Sequence, residues 1–142
     1  MTESTKKIDI KRNWHLINAQ GEILGRLASK IAEFLIGKTK PNFVRYLDCG
    51  DYVVVINSQD VAVTGKKEKE KTYGHYSGHP GGLKEKALWQ LRIEKPNEII
   101  ERAVAGMLPK NKLRDRLMTR LHVYKDATHP YEDKFKAQQK SK

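Results

Sequence analysis

Residues 52–57 read YVVVIN, a continuous apolar run rich in β-branched side chains. Such residues fit a pleated, packed surface. Because Val53 to Ile56 are all apolar, neither face of a strand built from them suits water. The run therefore predicts a strand buried on both faces, the kind found in α/β sheets. Upstream, Trp14 to Ala19 (WHLINA) reads as a first strand and QGE as a turn. Leu24, Leu27, Ala28, Ile31 and Leu35 then recur at helical spacing, and Gly37 stands where a C-cap would. KTKPNF follows as a loop.

After the run, SQD turns the chain, VAVTG (61–65) is expected to form a second short strand, and KKEKEK reads as a solvated charge run. Leu83 to Glu94 is expected to be helical, with Leu88 and Leu91 on one face. Pro96 suits the first turn of a new helix, whose buried stripe is Ile99, Ile100, Ala103, Val104 and Met107. A further helix is expected from Lys112 to about Arg120. In it Leu113, Leu117 and Leu121 face the core, while Lys112, Arg116 and Arg120 form a cationic stripe about 100° around the axis. HVYK (122–125) reads as a last strand. Residues 1–13 read as a basic arm and 126–142 as a polar tail, leaving 14–125 as the body of a single domain, 1–142. The pattern is α/β, one sheet with helices on its faces.

Charge narrows the function. Lys and Arg number 28 against 17 Asp and Glu, a formal net charge of +11. Such an excess repels itself, and a polyanionic partner explains it best. No apolar run is long enough to span a bilayer, and MTESTKK, with no apolar segment after it, is not expected to act as a secretory signal. The single cysteine, Cys49, cannot form an internal disulfide and fits a reducing cytosol. Between Arg102 and Lys125 seven basic residues face one acid, Asp115.

The stretch 73–86, YGHYSGHPGGLKEK, is too rich in glycine and polar groups to build a core. His75 and His79 have helical metal-ligand spacing, but Gly78, Pro80, Gly81 and Gly82 oppose a helix and no Cys cluster or carboxylate accompanies them. A Walker phosphate loop fails on spacing. The bland alternative is a flexible surface loop. A loop lying on nucleic acid uses every residue type present: glycines for close approach, Tyr and His rings for stacking, lysines for phosphates. Asp48-Cys49-Gly50 resembles one aspartic-protease triplet, but the hydroxyl after the Asp is missing and so is a second triplet; it reads as a polar turn.

The ordered set WHLINAQGEILGRLASKIAEFLIGK, CGDYVVVINSQDVAVTGKK, YGHYSGHPGGLK and RAVAGMLPKNKLRDRLMTRLHVY resembles the bacterial type of large-subunit ribosomal protein L-thirteen, from about Trp14 to Tyr124. GHPGGLK and VAGMLPKN are its most specific pieces. The chain departs from the family at Gly74, His75 and Tyr76, where members often carry an aromatic, a basic residue and a histidine, and at Cys49, more often Thr. The resemblance implies a three-layer α/β/α domain with a small, mainly parallel central sheet and no enzymatic activity, cofactor, catalytic residue or metal. It implies direct binding of 23S ribosomal RNA early in large-subunit assembly, beside other large-subunit proteins, in cytoplasmic ribosomes. Membrane and small-molecule substrate are not expected partners.

Together these readings name the expected RNA contacts. Lys110, Lys112, Arg114, Arg116 and Arg120 are expected on phosphates. Tyr73, His75, Tyr76 and His79 are expected to stack or hydrogen-bond, flanked by Lys66, Lys67, Lys84 and Lys86. Arg26 is a further candidate. An enzyme acting on nucleic acid would need convergent carboxylates or a Cys/His metal set. A regulatory binder of messenger RNA or DNA outside the ribosome is the other alternative.

Overall fold

The computed structural model describes residues 4–141. In chain order its elements are β1 (Trp14–Asn18), α1 (Leu24–Ile36), β2 (Tyr52–Ile56), α2 (Lys67–Glu70), β3 (Thr72–Tyr76), β4 (Leu83–Ala87), α3 (Leu88–Glu94), α4 (Pro96–Met107), α5 (Leu113–Met118), β5 (Leu121–Val123) and α6 (Glu132–Lys140). β2 lies between β1 and β5 and runs parallel to both, with Trp14 opposite Tyr52 and Val53 opposite Leu121. The YVVVIN run is thus the middle strand, and Val53, Val54 and Val55 are fully buried.

Alternation along the strands gives the two faces different residues. His15, Ile17, Val53, Val55, Leu121 and Val123 share the face under α1 and α4, where the His15 ring stacks on Phe34 of α1 at 4.1 Å. Leu27, Ile31 and Leu35 of α1 meet Ile99, Ile100 and Val104 of α4 there, and all are fully buried. Each such burial contributes about 1.5–3 kcal/mol. α1 ends at Gly37 in the left-handed region, as its spacing predicts.

Trp14, Leu16, Tyr52, Val54, Ile56 and His122 point to the other face. One end of that face is covered by α6, which supplies the third layer. Trp14 stacks on Tyr52 with centroids 4.4 Å apart and planes 9° apart, Tyr131 lies 5.0 Å away, and Phe135 meets the indole edge-on. The Trp14 amide donates to Oε1 of Gln138 at 2.7 Å. This corrects the expectation of a simple polar tail. Tyr131 and Phe135 are too sparse to show a helical period, and the aromatic wall of β1 and β2 seats the segment instead. Residues 1–3 of the expected arm and residue 142 of the tail lie outside the described residues.

Five further expectations are corrected. VAVTG is not a strand: Ala62 alone bridges Ile23, by bonds from Leu24 N to Ala62 O and from Ala62 N to Glu22 O, before Gly65 turns the chain at φ 66. Residues 72–87 are not a loop but an antiparallel hairpin of β3 and β4. Its turn closes by Gly82 N to His79 O at 3.0 Å, and positive φ at Gly78 and Gly81 suits glycine. The helix expected over 83–94 begins only at Leu88, since KEK upstream has no apolar partner at helical spacing and pairs with β3 instead. The helix expected over 112–120 runs only from Leu113 to Met118, Leu113 is only half-buried, and Leu121 begins β5. Met107, expected in the buried stripe of α4, is 43% exposed. Among the described residues, no helix is long and apolar enough to cross a membrane.

Candidate nucleic-acid interface

The hairpin pairs Tyr73 with Lys86 and His75 with Lys84, so these four side chains share one face; Tyr76 and Leu83 share the other. His75, Tyr76, His79 and Lys84 are exposed. Lys86 is exposed but paired with Glu94. Lys66 precedes the single exposed turn α2, and Lys67 within it reaches Thr64 Oγ1 at 3.4 Å. Tyr73 is corrected as a free stacking ring. It is half-buried against the core, with Lys71 Nζ 5.4 Å and Arg102 Cζ 5.3 Å from its centroid. Burial pushes its phenol pKa up despite the nearby Arg102 and Arg92. The ring therefore gathers cations at the base of the hairpin.

The second basic group surrounds α5. Lys110, Lys112 and Arg116 are exposed and Arg114 is half-buried. Arg26, on the first turn of α1, is exposed as well. Arg120 does not belong to this group. It is 7% exposed, its Nη1 donates to Asp48 Oδ2 at 2.6 Å, and its Nη2 bonds Asp48 Oδ1. The helical spacing that put it on the stripe fails because the helix stops at Met118 and the backbone turns before β5.

Asp48, which the sequence presents only as part of a turn, and Asp51, which it does not single out, are the carboxylates that hold this region together. Arg12 also reaches Asp48, at 3.5 Å, and donates to Gly50 O at 2.6 Å. Asp51 is 1% exposed and bonds Lys40 Nζ at 2.5 Å, His15 Nε2 at 2.8 Å and the Asn13 amide at 3.0 Å. Burial works against the charge of Asp48, but the hydrogen bonds and charge of Arg120, then Arg12, outweigh it and hold its pKa below the ordinary value. Burial likewise opposes the charge of Asp51, and its bonds to His15 and Lys40 outweigh that. Gly50 between them is required by close packing: a Cβ would stand 1.7 Å from Leu35 O. Cys49 is buried, with its sulfur 4.0 Å from Asn42 O.

Two clefts open between the basic groups and meet at Met107. One, of about 660 Å³, has apolar walls including Phe43, Leu47 and Leu113, with Lys38, Arg45 and Asn111 also lining it. The other, of about 290 Å³, lies between α1, α2 and α4. Lys38, Arg45, Lys71 and Arg102 were not singled out from the sequence; the sequence signal available for them was charge alone. Among the described residues, no group of three or more His, Cys, Asp or Glu is placed to hold a metal.

The family model for ribosomal protein L13 matches residues 12–130. The chain belongs to the ribosomal protein L13 family. It is 51% identical over 130 residues to the large ribosomal subunit protein uL13 of Solibacter usitatus, covering 92% of this chain and 91% of that protein. It is 48% identical over 126 residues to the uL13 of Clostridioides difficile, covering 89% and 88%. With the uL13 of Geobacillus thermodenitrificans it shares 46% over 131 residues, covering 92% and 90%. The L13 family is one of structural ribosomal proteins, not of enzymes. Its match takes in β1 through β5, both basic groups and Asp48 and Asp51, and ends before α6.

Proposed function

We propose that this protein is a structural constituent of the large ribosomal subunit that binds 23S ribosomal RNA directly and supports early subunit assembly and translation, beside neighbouring large-subunit proteins. The observation that carries the reading is how the charge is divided. Asp48 and Asp51 are spent inside, on Arg12, Arg120, Lys40 and His15, while Lys66, Lys67, Lys84, Lys110, Lys112 and Arg116 remain exposed. A +11 chain that matches its two most enclosed carboxylates with cations, while these six exposed cations have no carboxylate partner among the described residues, is suited to displace counterions from a polyanion. The hairpin contributes Tyr76, 60% exposed, as a stacking ring, and His75 and His79 as hydrogen-bonding groups.

The test is binding of the full chain to a 23S transcript across salt concentrations, with co-sedimentation on large subunits after a high-salt wash. A slope of log K against log salt of several units is expected, with retention on the subunit. A slope near zero, or loss of the protein from washed subunits, overturns the proposal.

A further inference from the structure

We propose that Thr64, Lys67, Lys71 and Arg102, with the first turn of α1, form a pocket for one phosphate group, filled on the ribosome by a phosphodiester of the RNA. The source of that phosphate rests on the ribosomal RNA reading; the pocket itself does not. The cavity of about 290 Å³ has room for about ten waters at ~30 Å³ each, enough for a phosphate and its remaining hydration. Three cations line it from three places: Lys67 in α2, Lys71 just before β3, and Arg102 in α4. Arg102 pairs with Glu98 at 2.5 Å. Lys67 and Lys71 have no carboxylate partner among the described residues; the Lys67 ammonium meets the Thr64 hydroxyl and that of Lys71 meets the Tyr73 ring. Three cations thus line one concavity that has no carboxylate among its lining residues, and Glu98, outside it, pairs with Arg102 alone, so an entering anion relieves the repulsion between the two lysines.

The backbone suits the same ligand. Gly25 and Gly106 line the cavity, and neither has any heavy atom within 4 Å of where a Cβ would stand, so the space beside them is open. The Gly25 amide lies in the first turn of α1 and has no intrahelical acceptor. Ile23, at the N-cap, supplies no side-chain cap. Ammonium, guanidinium, hydroxyl and backbone amide groups from separate segments therefore surround one space, which is the donor set phosphate oxygens take.

The test uses the full-length protein, ¹⁵N-labelled, titrated with sodium phosphate at constant ionic strength, and then bound to a 23S transcript and to an unrelated RNA duplex. Two variants are compared. Lys67→Gln with Lys71→Gln removes charge, and Gly106→Leu fills the cavity with charge unchanged; thermal melts confirm that each is folded. The expected result is a saturable shift of the Gly25 amide in wild type, absent in Gly106→Leu. The 23S affinity of Gly106→Leu is expected to fall several-fold, more than its affinity for the duplex, with the salt slope lower by about one unit per lost phosphate contact. A Gly25 shift with 23S affinity unchanged in both variants supports the phosphate pocket but overturns RNA as its source in favour of a free phosphate. A Gly25 shift in a wild-type protein that fails to bind 23S RNA overturns the ribosomal RNA reading and leaves the pocket standing. No shift, with 23S affinity untouched by Gly106→Leu, overturns the pocket.

Discussion

Arg120 holds Asp48 with both terminal nitrogens of its guanidinium, across 72 residues of sequence, at the point where the chain enters the middle strand. The pair joins the start of β5 to the loop before β2, and Arg12 ties the N-terminal segment to the same carboxylate. Removing Arg120 leaves a largely enclosed carboxylate with only the more distant Arg12 as its cationic partner. Arg120→Ala is therefore expected to destabilise the domain by about 3–5 kcal/mol. Urea denaturation measures it. An Arg120→Ala variant of wild-type stability but weakened RNA binding would return Arg120 to the RNA surface.

The α5 surface should behave in the opposite way. Lys110, Lys112 and Arg116 are exposed, so changing all three to Ala should leave stability within about 0.5 kcal/mol per site while lowering the salt slope of RNA binding by about one unit per lost contact. Leu117 is 3% exposed, and Leu117→Ala should destabilise by about 2–5 kcal/mol. Denaturation and filter binding on the same preparations separate the two faces.

Acid should unlock the loop before β2. The pKa values of Asp48 and Asp51 lie below the ordinary 3.8 in the folded protein. Groups of that kind lend stability that is fully present above the unfolded value and is lost as pH falls through the folded one. Stability should thus be level with respect to these two groups above about pH 5 and decline below pH 4. In Asp51→Asn the acid-dependent part should shrink, read from urea midpoints against pH.

Docking of α6 should respond to its aromatic seat. Phe135→Ala is expected to loosen the contact with Trp14 at a cost of about 1 kcal/mol and to change the indole fluorescence. Burial holds the His122 pKa below 6.5, so its folded form prefers the neutral ring. The stability it lends is present above the unfolded value and is lost as pH falls through the folded one. Fluorescence of Trp14 between pH 7 and 5 should therefore move toward that of Phe135→Ala. A pH-independent spectrum would sink this account.

The hairpin turn, 77–82, is the expected site of proteolysis in the free protein and of protection in the assembled subunit, since nearly every residue in it is exposed. Tyr76→Ala should weaken RNA binding by about 1–3 kcal/mol if the ring stacks on a base. Equal cleavage in the free and assembled states would contradict the hairpin's assignment to the RNA face.

By itself the sequence determined a strand buried on both faces, the buried stripe of α1 and most of that of α4, and the excess of positive charge, because each is written within a short window; that the strand is the middle one came from the sheet order. Val53 to Val55 fill both sides of any strand they form. Leu27, Ile31 and Leu35 meet on one side of any helix. The order of motifs carried the family as well. Tertiary structure alone decided which cations face water. Arg120 shares its spacing with Arg116, yet the helix ends between them and an aspartate 72 residues away captures one and not the other. The hairpin likewise depends on pairing between two segments that lack apolar alternation, with Tyr73 anchored against Arg102 of α4. α6 depends on rings in β1 and β2. Periodicity records what a segment buries, while the partner that it buries against or pairs with is fixed only when distant parts of the chain meet.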